Sequence, residues 1–219
     1  MLKFLCKLLA LALLAMLATG CASNAPTQDY TAYKASKPRS ILVLPPVSES
    51  LDVNAGFGVL SQVTYPLAEA GYYVLPVSLV SETFKQNGMT TANDIQSVSP
   101  AKLRTIFGAD AVLYLDVHEY GVHYQVFDSV ARVAVSAKLV DLRSGTALWS
   151  GSAVASSAEN QNNNNLGLVG MLIQAAIKQV VNNVSDASYP VAGVASQRLL
   201  SVGANGLLYG PYSPHYGTD

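Results

Sequence analysis

Apolar and polar positions repeat along this sequence on different periods, and each period predicts a different element. Ser40-Ile-Leu-Val-Leu-Pro45 is a continuous apolar run. That is the pattern of a strand buried on both faces, and Pro45-Pro46 closes it because neither can donate to a ladder. From Gly56 to Ala70 the period becomes helical, with Phe57, Leu60, Val63, Tyr65, Leu67 and Ala68 on the apolar face and Gly71 placed as a C′ residue. Tyr72 to Val77 predicts a second strand, and Ser78 to Asn87 a short helix stopped by Gly88. A further helix starts at an N-cap Ser99, with Pro100 at N1, Val98 able to staple to Leu103, and Gly108 as its stop.

Past Gly108 the period is two. Asp110 to Glu119 sets Ala111, Leu113, Leu115 and Val117 against Tyr114, Asp116 and His118. Residues 126–141 set Val133, Val135, Ala137 and Leu139 against Arg132, Ser136 and Lys138. Asp141 to Gly145 reads as a hairpin turn, and Thr146 to Ala155, with Trp149, as the returning strand. Helical spacing returns in Leu166, Val169, Ile173, Ile177, Val180 and Val184. Leu168, Met171 and Leu172 make its first half apolar nearly all round, so this helix is either core or, in a homo-oligomer, the interface with another protomer. Another helix is expected from Ala187 to Leu200, interrupted near Pro190. Residues 207–219, rich in Tyr, Gly and Pro, read as an extended tail that docks on the domain or on a partner through Tyr209, Tyr212 and Tyr216. The order β-α-β-α-α-β-β-β-α-α predicts an α/β (α+β) fold, a mixed sheet of about five strands with helices packed on it.

The first residues obey different rules. Lys3 and Lys7 precede an apolar run from Leu8 to Ala18, too short for the roughly 20 residues of a spanning helix and suited to a secretory signal. Ala18-Thr19-Gly20-Cys21 resembles the lipobox of lipoprotein signal peptidase, although Leu17 stands four residues before the cysteine rather than three. The expected organisation is a signal peptide over residues 1–20, cleavage between Gly20 and Cys21, and lipid on Cys21. A flexible tether over 21–38, a domain over 39–206 and a tail over 207–219 follow. Ala22, where an Asp would favour inner-membrane retention, points to the outer membrane and its periplasmic face.

Composition narrows the chemistry. Without residues 1–20 the chain has 11 Lys and Arg against 14 Asp and Glu, and no basic footprint for nucleic acid. Cys6 leaves with the signal, so no internal disulfide is expected. Asp116, His118, Glu119 and His123 gather ionisable groups, but alternation turns Glu119 away from Asp116 and His118, so neither a metal nor a catalytic site is expected there. No Gly-x-Ser-x-Gly elbow is present. Asn54-Ala-Gly-Phe-Gly58 lacks a full phosphate fingerprint and reads as a helix-entry loop. No cofactor is expected.

Ile41-Leu-Val-Leu-Pro-Pro46, Gly71-Tyr-Tyr-Val-Leu-Pro76, Ala109-Asp-Ala-Val-Leu-Tyr114, Leu139 to Gly151 and the Tyr209-Gly-Pro-Tyr tail occur here in one order. Together with the lipobox they resemble a bacterial lipoprotein family typified by a neisserial genome-derived antigen. The strand-turn-strand around Asp141 and Trp149 also resembles curli-secretion-type envelope lipoproteins and the N-terminal domain of TolB. The resemblance implies a TolB-like domain, no enzymatic activity, and a setting in cell-envelope assembly or maintenance among other envelope proteins. The expected function is a periplasmic protein-interaction module. An oligomeric component of a curli-secretion-like channel, built on residues 126–155, is the alternative, and a cell-wall hydrolase a more distant one.

Overall fold

The computed structural model describes residues 28–124, 129–161 and 186–219. Six strands form one mixed sheet: β1 (Ser40–Val43), β2 (Val47–Ser48), β3 (Tyr73–Val74), β4 (Ala111–Tyr124), β5 (Ser129–Asp141) and β6 (Ala147–Ser156). Their order is β3-β1-β4-β5-β6, with β2 pairing β4 beyond the end of β1. The pairs β3–β1, β1–β4 and β2–β4 are parallel, whereas β4–β5–β6 is an antiparallel meander. The helices are α1 (Thr31–Ser36), α2 (Ala55–Glu69), α3 (Val77–Gln86), α4 (Ala92–Gln96), α5 (Pro100–Phe107) and α6 (Ser188–Leu200). This is the mixed α+β architecture that the sequence pattern predicts.

The two periods explain two cores. On one face Ala111, Leu113, Leu115 and Val117 of β4 and Val133, Val135, Ala137 and Leu139 of β5 pack with Val59, Val63 and Leu67 of α2 and Val191, Ala192, Ala195 and Leu199 of α6. On the other, Leu42, Leu44, Val112 and Val140 meet Val80 and Phe84 of α3, Ile95 of α4 and Leu103 of α5. Strand β1 is apolar throughout because its side chains enter both cores, Ile41 and Val43 one, Leu42 and Leu44 the other. Each such burial is worth roughly 1.5–3 kcal/mol.

Several expectations change. The flexible tether expected up to residue 38 does not extend over its last part: residues 31–36 form α1, whose Tyr33 is buried. Helix α2 buries Val59, Leu60, Val63, Pro66 and Leu67 but leaves Phe57, Tyr65 and Ala68 outside. The strand expected over 72–77 pairs only at Tyr73 and Val74, because Leu75 makes the last bond to Ile41 and Pro76 has no N–H to continue. Pro190 does not interrupt α6. It sits in its first turn, where an N–H would have no helical partner. The short β2 and α4 were not expected.

Candidate functional site: an apolar prong and a docked tail

The loop from β2 to α2 stands at the carboxyl ends of the parallel strands, where open α/β sheets form their binding crevices. Short polar side chains fix it. Ser50 Oγ donates to Tyr120 O at 2.7 Å and accepts from the Asp52 N–H at 3.1 Å; Asp52 Oδ1 accepts from the Asn54 N–H at 2.8 Å. The turns so held push Leu51 and Val53 into solvent, 102% and 84% exposed, and Phe57, on the first turn of α2, stands beside them at 75%. Behind this prong lies a cleft of about 620 Å³ whose walls include Pro46, Leu60, Met89 and Ile95, with Lys85 at its side. Sequence reasoning placed Phe57 in a helix stripe and passed over Leu51 and Val53. Their only signal is apolar residues alternating with polar ones in Ser50-Leu-Asp-Val-Asn54, with no partner strand in reach. The Asn54–Gly58 segment is a helix entry as expected, and Gly58 lets the Tyr120 ring pack close: a Cβ there would lie 2.6 Å from the hydroxyl.

The tail docks on its own domain. Leu207 and Leu208 are buried, Gly210 N–H donates to Ala70 O at 2.8 Å, and Tyr212 N–H to Gly71 O at 3.0 Å. This approach requires two glycines. A Cβ on Gly210 would fall 2.3 Å from Gly71 O, and Gly71 itself has φ +92°. Tyr72 Oη donates to Leu208 O at 2.6 Å and lies 2.8 Å from Tyr33 Oη, so β3, α1 and the tail share one buried hydroxyl pair. Burial raises the pKa of both phenols above the ordinary value, which keeps them neutral. Asp219 finishes the latch, its Oδ2 accepting from Tyr209 N–H at 2.6 Å and its main-chain oxygen from Lys34 Nζ at 2.7 Å. Tyr209 is half-buried, its ring 5.3 Å from that of His215, while Tyr212 and Tyr216 remain exposed. A pocket of about 320 Å³ between α1 and the tail is lined by Tyr33, Lys34, Tyr72, Tyr209 and Tyr216.

A bulge corrects the reading of the ionisable cluster. The β4–β5 register shifts between Val117 and Glu119, so Tyr120 returns to the core and Glu119 stays outside with His118 instead of turning away. His118 Nε2 lies 2.8 Å from Ser136 Oγ and its Nδ1 3.3 Å from Glu49. Glu119 meets His123 at 2.7 Å and Arg132 at 2.7 Å. Among the described residues no three His, Cys, Asp or Glu side chains converge on a metal position. Gly20, Cys21, Leu166, Val169 and Ile173 lie outside the described residues.

A family model described as "Putative lipoprotein GNA1162-like" matches residues 28–212. A protein of Neisseria meningitidis serogroup B described as a "Putative lipoprotein" is 54% identical over 189 residues, 86% of this chain and 87% of that protein. The crystal structure of lipoprotein GNA1162 from Neisseria meningitidis is 56% identical, covers 67% of this chain and 100% of its own, and superposes with a TM-score of 0.54.

Proposed function

We propose, since the chain belongs to the GNA1162-like lipoprotein family, that it is a lipid-anchored, non-enzymatic interaction module of the bacterial envelope. Its anchor is lipid on Cys21 after removal of residues 1–20, its place the periplasmic face of the outer membrane, and its work the assembly or maintenance of an envelope complex. The observation that carries the interaction reading is the prong. Two apolar side chains held in water by a hydrogen-bonded loop, with a third beside them on the first turn of α2, serve no purpose in the core, and such ordered exposure marks a binding surface. The anchor confines that surface to a thin layer beside the membrane, which raises its effective concentration for membrane-proximal partners. His118, between Glu49 and Ser136, and His123, against Glu119, lie on an exposed sheet face, which favours a solvated surface over a catalytic role.

The channel alternative draws less support. Its spanning hairpin was to come from residues 126–155, yet Val133, Val135, Ala137 and Leu139 are buried beneath α2 and α6, and a strand cannot turn the same face to lipid.

Labelled palmitate should enter the wild-type chain and co-fractionate with the outer membrane, while Cys21→Ser should be unlabelled and released from it. Undiminished labelling of Cys21→Ser would overturn the anchor. Crosslinking of the native lipoprotein in whole cells should trap a discrete protein complex; a chain that remains uncrosslinked at every stage of growth would overturn the interaction module.

A further inference from the structure

We infer that the partner of the prong is a second copy of this chain, bound head to tail: Leu51, Val53 and Phe57 of one copy enter the groove between β3, α3 and α5 of the next. The inference rests on the interaction reading above and names its partner. The groove has a volume of about 460 Å³, with Leu75, Pro76, Val80 and Phe107 in its walls and the exposed Tyr73, Leu79 and Ile106 at its rim. It runs beside β3, the last strand of the sheet, whose outer side carries no strand among the described residues. One feature is convex and apolar, the other concave and apolar, and both belong to the same chain.

Charge decides how they meet. Between residues 40 and 84 the chain has Glu49, Asp52, Glu69 and Glu82 and neither Lys nor Arg, so the prong is bracketed by acids, Glu49 and Asp52. The groove has bases at its borders. Arg39 is 71% exposed, its Nε 3.7 Å from the largely buried Asp110, and its main-chain oxygen accepts from the Tyr73 N–H; Lys102 precedes Ile106 by one turn on the same side of α5. Glu82 lies on the α3 side of the groove, where it accepts from Gln86, and Lys85 stands on the cleft wall behind the prong. A two-fold contact of prong with prong would bring Glu49 and Asp52 against their own copies. A contact of prong with groove brings acids to Arg39 and Lys102, so unlike surfaces meet and the contact is heterologous. Such a contact propagates from copy to copy until it closes into a ring or runs on as a filament.

The test uses the mature lipidated chain in detergent, followed by sedimentation velocity and native mass spectrometry. Leu51→Asp removes the prong and Leu79→Asp the groove; both side chains are exposed, so neither change opens the core. The wild type should form species larger than a dimer, and each variant alone should be monomeric, with at least about a tenfold loss of association. An equimolar mixture of the two variants should stop at a heterodimer, because it holds one intact prong and one intact groove. A monomeric wild type, variants that assemble normally, or a mixture that stays monomeric would each overturn the inference. Outer-membrane fractionation of the same variants should be unchanged. Its loss would speak against the anchor and not against the contact.

Discussion

Asp141 shows how much one side chain can hold at the end of a strand. It is 3% exposed, and Oδ1 accepts from the N–H groups of Arg143 at 2.7 Å and Ser144 at 2.8 Å. Oδ2 accepts from Ser36 Oγ, which ties the hairpin turn to α1. Burial pushes this carboxyl upward, but the bonds from Ser36, Ser144 and Arg143 outweigh it and bring its pKa to about 2. A folded pKa below the unfolded one stabilises above the unfolded value, near 4, and the contribution is lost as pH falls through 4 toward 2. Asp141→Asn should therefore lower unfolding free energy by about 2 kcal/mol at pH 7. The gap to wild type should close between pH 4 and 2 in urea titrations; a constant gap would refute this account. Ser196 is the opposite case. Its hydroxyl is fully buried on α6 and has no hydrogen-bond partner among the described residues. Ser196→Ala should raise stability by about 1 kcal/mol, seen as a higher melting temperature, because it removes an unsatisfied polar group.

At the level of elements, the regular ones were legible and the irregular ones were not. The apolar run of β1, the alternation of β4 and β5, the turn at Gly145 and the Pro100 start of α5 all followed from local pattern. Helix α1 was missed because six residues carry too little periodicity, and its stability comes from Tyr33 lying against Tyr72 and the tail. The bulge after Val117 was invisible for a related reason, since alternation counts residues and a bulge inserts one without a compositional mark. The tail is short of periodicity because its bonds run to distant partners: Tyr72, Gly71 and Lys34. It is nonetheless structural. Leu207→Ala, at a side chain with no exposure, should cost about 2–5 kcal/mol in chemical denaturation and loosen α1 along with the tail. Hydrogen exchange should then accelerate at Lys34 and Lys37, whose amides close the turns of α1; unchanged protection there would mean that α1 and the tail are independent.

On the scale of the whole molecule, one sheet separates two cores, and the prong and the groove both open at their edges, where Leu60, Ile95 and Val80 come to the surface of the core clusters. The prong stands at the carboxyl end of the parallel strands and the groove beside β3, both built from residues whose exposure no local pattern revealed. Burial is decided by which helices cover which part of the sheet, and sequence periodicity gives only the side on which a residue points. The long-range closure of the fold has a further effect. Gln28 and Tyr30 bond to Asn205 and Gly206, and Lys34 to Asp219, so the earliest described segment is completed only by the latest. Contacts of such separation form slowly. A chain threaded through a translocation pore from its first residue would present α1 long before its counterpart arrived. In a chain exported as proposed, the domain would then stay open throughout passage and shut only after residues 205–219 had crossed, a delay that would keep the polypeptide threadable and tie its closure to the far side of the membrane.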